Sequence, residues 1–131
     1  MKILIDTDVL LDVALNRKPW VESSAGVLRW AETSGSAAIA WHSLSNCAYL
    51  LENDGREFID KLLMIVEIAL TGRKDALKAL RLPLRDLEDA LQAVAASSWG
   101  AQYIVTRNIK DFKGSPVTAI APETFMEIIR R

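Results

Sequence analysis

Cysteine and histidine are almost missing from this chain: Cys47 and His42 stand alone among 131 residues. A single cysteine excludes an internal disulfide framework and fits a reducing compartment, so the expected location is the cytoplasm. One histidine with one cysteine also leaves too few ligands for a zinc centre. Long apolar runs are missing too. None would cross a bilayer, and the run after Lys2 is cut by Asp6 and Asp8 before it makes a signal-peptide core, so no membrane role is expected. An excess of one charge is missing as well: the net charge is −1. That argues against a broad basic surface for nucleic acid. It leaves room for a local basic rim, or for an acidic site in which metal ions supply the positive charge. There is no Pro/Gly-rich linker and no repeat. Residues 1–131 are expected to form one domain, because the chain is too short for two of ordinary size.

What is present is a core: half the residues are apolar, too many for a disordered chain. The first organised stretch is KILIDTDVLLD, Lys2 to Asp12. Ile3-Leu4-Ile5 reads as a strand buried on both faces, as in a parallel sheet. A short helix follows over Asp8 to Leu15, broken by Asn16-Arg17-Lys18-Pro19. Trp20 to Thr33 reads as an amphipathic helix with Val21, Ala25 and Leu28 on one face. After the turn Ser34-Gly35-Ser36 come a strand, Ala37 to Ala40, and helices over His42 to Glu52 and Arg56 to Leu63. Met64 to Ala69 reads as the third strand. Thr71 reads as the cap of a helix running through Leu80. Asp86 reads as the N-cap of a long helix, Leu87 to Trp99, which leaves through Gly100. Tyr103 to Thr106 is the fourth strand. The loop Arg107 to Ser115 leads to a weak fifth strand, Val117 to Ile120. Pro122 opens a last helix with Phe125, Ile128 and Ile129 inward.

Strands alternating with helices predict an α/β domain with a mostly parallel sheet and right-handed crossovers. All strands then point one way, and polar residues at their carboxyl ends share one rim. Asp6 ends the first strand and Asp8 opens the next helix. Ser43, Ser45 and Asn46 start the helix after the second strand. Asp86, Glu88 and Asp89 open the long helix. Thr106, Arg107, Asn108 and Asp111 follow the fourth strand. Asp6, Asp89 and Asp111 therefore converge from distant segments, with Asp8, Asp86 and Glu88 beside them. Carboxylates so close repel and raise each other's pKa unless a cation sits between them. An all-oxygen set suits Mg²⁺ or Mn²⁺, and phosphodiester hydrolysis is a reaction such sites perform.

Taken singly, each acid has an ordinary role: Asp6 a turn residue, Asp86 an N-cap, Asp89 a helix-dipole acid, Asp111 a loop carboxylate. Asp12, one turn beyond Asp8, is expected to be peripheral. Glu88 is expected to be solvated or one layer behind the site. His42 is expected on the surface or in packing, and Cys47 buried and inert. Trp20, Trp30, Trp41 and Trp99 are expected mainly in packing. Arg107, Lys110 and Lys113 form a basic run, either a solvated loop or a grip on the phosphates of a substrate.

Four stretches, ILIDTDVLLD (3–12), SLSNCAYLL (43–51), DLEDALQAVAA (86–96) and IVTRNIKDF (104–112), resemble the PIN-domain ribonucleases, among them the toxins of VapBC-type pairs. The resemblance implies a three-layer α/β/α fold with a mostly parallel five-stranded sheet in the order 3-2-1-4-5. It implies a metal-dependent endoribonuclease acting on RNA, neutralised by a small antitoxin and often a homodimer, with contacts through the helices from Trp20 to Leu63. By position it gives Asp6, Asp89 and Asp111 as ligands of Mg²⁺ or Mn²⁺, with Asn46 and Thr106 as further site residues. Many members carry Glu where Asn46 stands, and Asn where Asp8 stands. The expectation is that Asp8 restores the lost charge. Asn46 also motivates the alternative, a non-catalytic PIN-fold module that binds RNA or protein. A DNA-directed nuclease of the same fold stays open. A receiver-like domain ranks low, because MIVEIA offers no phosphorylatable Asp at its end.

Overall fold

The computed structural model describes residues 1–131. Five parallel strands lie in the order β3-β2-β1-β4-β5: β1 Ile3–Ile5, β2 Ala37–Ala40, β3 Glu67–Ala69, β4 Tyr103–Val105 and β5 Thr118–Ile120. The helices are α1 Thr7–Ala14, α2 Val21–Ser34, α3 Trp41–Leu51, α4 Gly55–Leu62, α5 Arg73–Ala79, α6 Leu87–Trp99 and α7 Pro122–Arg130. Short 3₁₀ turns cover Glu52–Asp54 and Ile109–Phe112.

Alternation along the central strand separates the layers. Ile3 and Ile5 face one side of the sheet, where Val9 and Leu10 of α1, Val27 and Leu28 of α2, Leu62 of α4 and Phe125 of α7 pack against them. Leu4 faces the other side with Ala38, Ala40 and Ile104, under Ala93, Ala95 and Ala96 of α6. Small side chains on both surfaces let α6 lie close to the strands. A three-layer α/β/α arrangement results, as the sequence predicted.

Four local expectations change. Met64 and Ile65 do not enter β3. The backbone N–H groups of Ile65 and Val66 both return to Leu62 O, so the chain is still unwinding from α4, and Met64 is exposed. Thr71 does not cap α5. Gly72 takes that place, and its N–H donates to the Asp75 carboxylate at 2.9 Å. In α2 the buried face is Ser24, Val27, Leu28 and Ala31 rather than Val21 and Ala25. Phe125 is fully buried and Ile129 packs on the core, whereas Ile128 lies at its margin.

The order 3-2-1-4-5 puts the switch point between β1 and β4, whose register pairs Ile5 with Val105. The next residues, Asp6 and Thr106, are therefore neighbours at the carboxyl edge, where open α/β sheets bind ligands. No helix is long and apolar enough to cross a membrane.

Candidate functional site

Asp6 is held in place from three directions. It is the N-cap of α1, with the Thr7 N–H donating to Oδ1 at 2.7 Å. The Thr106 hydroxyl donates to Oδ2 at 2.8 Å, and Gln92 Nε2 reaches Oδ1 at 3.0 Å. Burial, reinforced by the Asp8 charge, nevertheless outweighs these bonds and pushes the Asp6 carboxyl up to about 7.

Asp8 begins α1 and leans toward β4. Its Oδ2 accepts the Arg107 backbone N–H at 3.0 Å, and burial raises its pKa. Its other oxygen, Oδ1, is buried and receives no hydrogen bond. Such an oxygen is costly to bury unless something positive completes it.

Asp89 arrives from the first turn of α6. Asp86 caps that helix by accepting the Asp89 N–H at 3.1 Å, so the cap and the site residue are set by the same turn. Burial and then the charges of Asp86, Asp111, Glu88 and Asp8 push the Asp89 carboxyl up to about 6. Asp111 comes from the 3₁₀ turn after β4, which is anchored by buried Phe112.

These side chains line one open cavity of about 460 Å³ whose acids are Asp6, Asp8, Asp86, Glu88, Asp89 and Asp111. Asn46, Asn108, Thr7 and the arginines Arg17 and Arg107 complete its polar wall. Thr106 lies behind Asp6, fully buried, and also accepts the Asn108 N–H at 3.0 Å. The expected residues Asp6, Asp89, Asp111 and Asn46 thus share one pocket, with Thr106 supporting it. No three of the acids stand close enough together to grip one ion as they are. Their mutual repulsion, the unsatisfied Asp8 Oδ1 and an all-oxygen donor set fit a hard dication such as Mg²⁺ or Mn²⁺.

Several residues behave differently from the sequence expectation. Asp12 is not peripheral but completely buried. It accepts from Arg107 Nε and Nη2 at 2.7 and 3.0 Å, from Arg17 Nε at 3.0 Å and from the Ser24 hydroxyl at 3.1 Å. Arg107 is therefore tied down by Asp12 rather than freely solvated, although part of its side chain still lines the pocket. Its guanidinium is also stacked 4.0 Å above the Trp20 ring. Glu88 is exposed, as expected of a solvated residue, and it also lines the pocket, accepting a hydrogen bond from Asn46 Nδ2. Asn46, standing where a Glu was missed, presents a Glu from another helix.

Gln92 escaped the sequence reading. It is buried, and its Nε2 lies 3.0 Å from Asp6 Oδ1, 3.1 Å from Ser43 Oγ and 3.3 Å from Thr7 Oγ1. Thr7 and Ser43 hydroxyls are also hydrogen-bonded to each other at 2.9 Å. One signal was available: Gln92 is the only long polar residue inside the alanine-rich buried run of α6, one turn beyond Asp89.

The bland expectations hold for Cys47, His42 and Trp30, whereas Trp41 is 66% exposed instead of packed. Cys47 is buried and burial pushes its thiol up to about 11, so it is unreactive. His42 is half-buried, and burial lowers its pKa. Trp30 packs edge-on against Phe125, with ring centres 5.0 Å apart.

The sequence matches a family model described as PIN domain over residues 2–110. Comparison with curated proteins gives no match. Among solved structures, the chain is similar to VapBC2 from Rickettsia felis bound to a DNA fragment from their promoter, at 21% identity and a TM-score of 0.73, covering 92% of this chain and 98% of that one. It is similar to DNA-bound VapBC from Salmonella typhimurium at 18% identity and a TM-score of 0.71, covering 93% and 98%. It is also similar to PAE2754 from Pyrobaculum aerophilum at 18% identity and a TM-score of 0.69, covering 99% and 96%. At such identities these likenesses establish the shared fold, while the family match extends over most of the sequence. Its acidic switch-point pocket therefore sits on a known scaffold: this chain belongs to the PIN-domain family.

Proposed function

We propose that this chain is a metal-dependent endoribonuclease, and that its pocket acids hold Mg²⁺ or Mn²⁺. One observation carries the reading. Carboxylates from three separate segments, Asp6 with Asp8, Asp89 and Asp111, line one cavity at the sheet's switch point. Three of them, Asp6, Asp8 and Asp89, are pushed toward neutrality by their surroundings. A fold that needed only stability would not gather them there. A bound dication would neutralise phosphate charge and make a water molecule acidic enough to attack. The residues of the chain do the rest. Asp6, Asp89 and Asp111 would hold one or two such ions. Thr106 and Gln92 fix the Asp6 carboxylate. Asn46 holds Glu88 at the pocket wall, where it adds charge without closing the cavity to substrate.

The VapBC neighbours motivate a further proposal, that this chain is the toxin of a toxin–antitoxin pair, acting as a homodimer. An exposed apolar surface supports it: Trp41, Tyr49 and Leu50 on α3, and Leu63 and Met64 after α4. Patches of this kind mark protein contacts. Leu50 also lines the acidic cavity, so a partner on that face would reach the site. A free buried thiol fits the cytoplasm, where residues 1–131 would act as one domain.

The test is cleavage of structured and single-stranded RNA with Mg²⁺ or Mn²⁺, by the chain and by its Asp6→Asn and Asp89→Asn variants. Metal-dependent cutting abolished by both substitutions is expected. Cutting that survives them would assign the activity to a contaminant. RNA binding with no cutting under either metal would favour the non-catalytic module that Asn46 motivates.

A further inference from the structure

Beside the acidic cavity lies a second concavity of about 560 Å³, and Asp111 belongs to the walls of both. Its floor is Pro83, Leu84 and Gly114. Its cations come from two separate segments: Arg85 from the approach to α6, Lys110 and Lys113 from the loop after β4. All three are exposed, and none has a carboxylate within ion-pair distance. Beside the acids of the neighbouring cavity, the sign of the surface reverses across one residue, Asp111.

The groove is anchored rather than loose. Buried Phe112 ties the Lys110–Lys113 loop into the core, and Leu82 and Leu84 pack on the same cluster. Gly114 has φ +92°, and a Cβ there would stand 3.0 Å from Pro83 Cγ. A residue without a side chain is what lets the loop close onto the floor.

We infer that this groove carries the single-stranded RNA backbone that flanks the phosphate being cut. The inference rests on the nuclease reading above. A strand laid over Asp6, Asp89 and Asp111 meets six acids in that pocket against two arginines, Arg17 and Arg107, that are already paired with Asp12, and it is held better with further positive charge next to it. Past Asp111 it finds Arg85, Lys110 and Lys113 for its next phosphates, and an apolar floor for a ribose or base. Arg107, three residues before Lys110, lines the acidic cavity and not this groove, and its guanidinium is tied to Asp12. Phosphate contacts of this sort position a strand without reading its sequence.

The test is binding of a short fluorescein-labelled single-stranded RNA, followed by anisotropy across a NaCl series, with a chelator present so that nothing is cut. Arg85→Ala/Lys113→Ala is compared with the unaltered chain and with Arg56→Ala/Lys78→Ala, a pair of exposed cations outside both cavities. Each lost phosphate contact flattens the plot of log affinity against log salt by roughly 0.7, so the groove pair is expected to flatten it by about 1.4 and the control pair to leave it unchanged. If the groove pair lowers the melting temperature, Lys113→Gln alone is read, with about half that change expected. An unchanged slope in the groove variants, equal flattening by the control pair, or no RNA binding by the unaltered chain overturns the inference. Cleavage is scored separately with Mg²⁺. Groove-dependent binding without cleavage leaves the groove standing and removes the nuclease; cleavage with an unchanged salt slope does the reverse.

Discussion

Asp12 and Arg107 form a two-pronged ion pair, Nε to Oδ2 at 2.7 Å and Nη2 to Oδ1 at 3.0 Å, across 95 residues of sequence. It latches the loop after β4 onto α1. The same Arg107 donates its backbone N–H to Asp8, and Arg17 spans Asp12 and the Asp8 carbonyl. The pocket acid Asp8 thus takes its position from a buried ion cluster one helical turn below it.

Removing Asp12 leaves two guanidiniums without their shared partner. Asp12→Ala is expected to cost about 2–3 kcal/mol in urea unfolding, the lower end for a buried pair because both arginines reach solvent. Arg107→Lys keeps the charge but loses the fork and the stack on Trp20, so it is expected to fall between the two. Asp12→Ala with unaltered stability would remove the latch.

The pH dependence has two opposite signs. Asp6 and Asp89 move from 3.8 to about 7 and about 6 on folding. Between the ordinary and raised values, the folded chain holds protons that the unfolded chain has released. The stability these groups contribute is complete below about 4 and is lost as pH rises through 6 and 7. Cation binding needs the ionised carboxylates, so Mg²⁺ affinity and cleavage are expected to rise over that same span. Melting temperatures with and without Mg²⁺ should therefore diverge as pH increases. A constant gap from pH 5 to pH 8 (bounds set roughly by the two values) would contradict it.

Gln92→Leu strips the donor shared by Asp6, Ser43 and Thr7 inside the protein. The expected loss is about 1–3 kcal/mol, and the pH at which cleavage is half-maximal should move upward, because the Asp6 carboxylate loses a stabilising hydrogen bond. Gln92→Glu puts a second buried acid against Asp6 and should be the more damaging change. Equal pH profiles for Gln92→Leu and the unaltered chain would reduce Gln92 to packing.

Thr106→Val removes the hydroxyl that binds Asp6 Oδ2 at nearly constant volume. Cleavage should fall with only about 1–2 kcal/mol of stability lost. Thr106→Ser should restore it; failure of that rescue would point to the methyl group instead.

Glu88→Gln tests whether Glu88 supplies the charge missing at Asn46. Mg²⁺ affinity by calorimetry should fall roughly tenfold. Asn46→Ala, which only releases Glu88, should fall less. Unchanged affinity in both would make the Asn46–Glu88 contact an exposed decoration.

Much of this was legible in the sequence. Ile3-Leu4-Ile5 ending in Asp6 announced a central strand with an acid at its tip. Asp86 and Asp89 announced a capped helix whose start delivers another. Such features depend on local period and capping, which a few neighbouring residues determine. The start of β3 was misplaced because MIVEIA is equally apolar whether it unwinds from a helix or enters a sheet.

The sequence by itself determined the strand–helix alternation, the rim and the acids that reach it, because a parallel sheet with right-handed crossovers puts all strand ends on one side; the layers and the strand order followed from the family resemblance. Only the tertiary structure decided what surrounds each acid. Asp12 is buried because α2 and Arg107 close over it, Glu88 enters the pocket because Asn46 of α3 reaches across, and Gln92 binds Asp6 from 86 residues away. These are pairings between distant segments, and a side chain's burial and partners are set by what packs on it in space rather than by its neighbours along the chain.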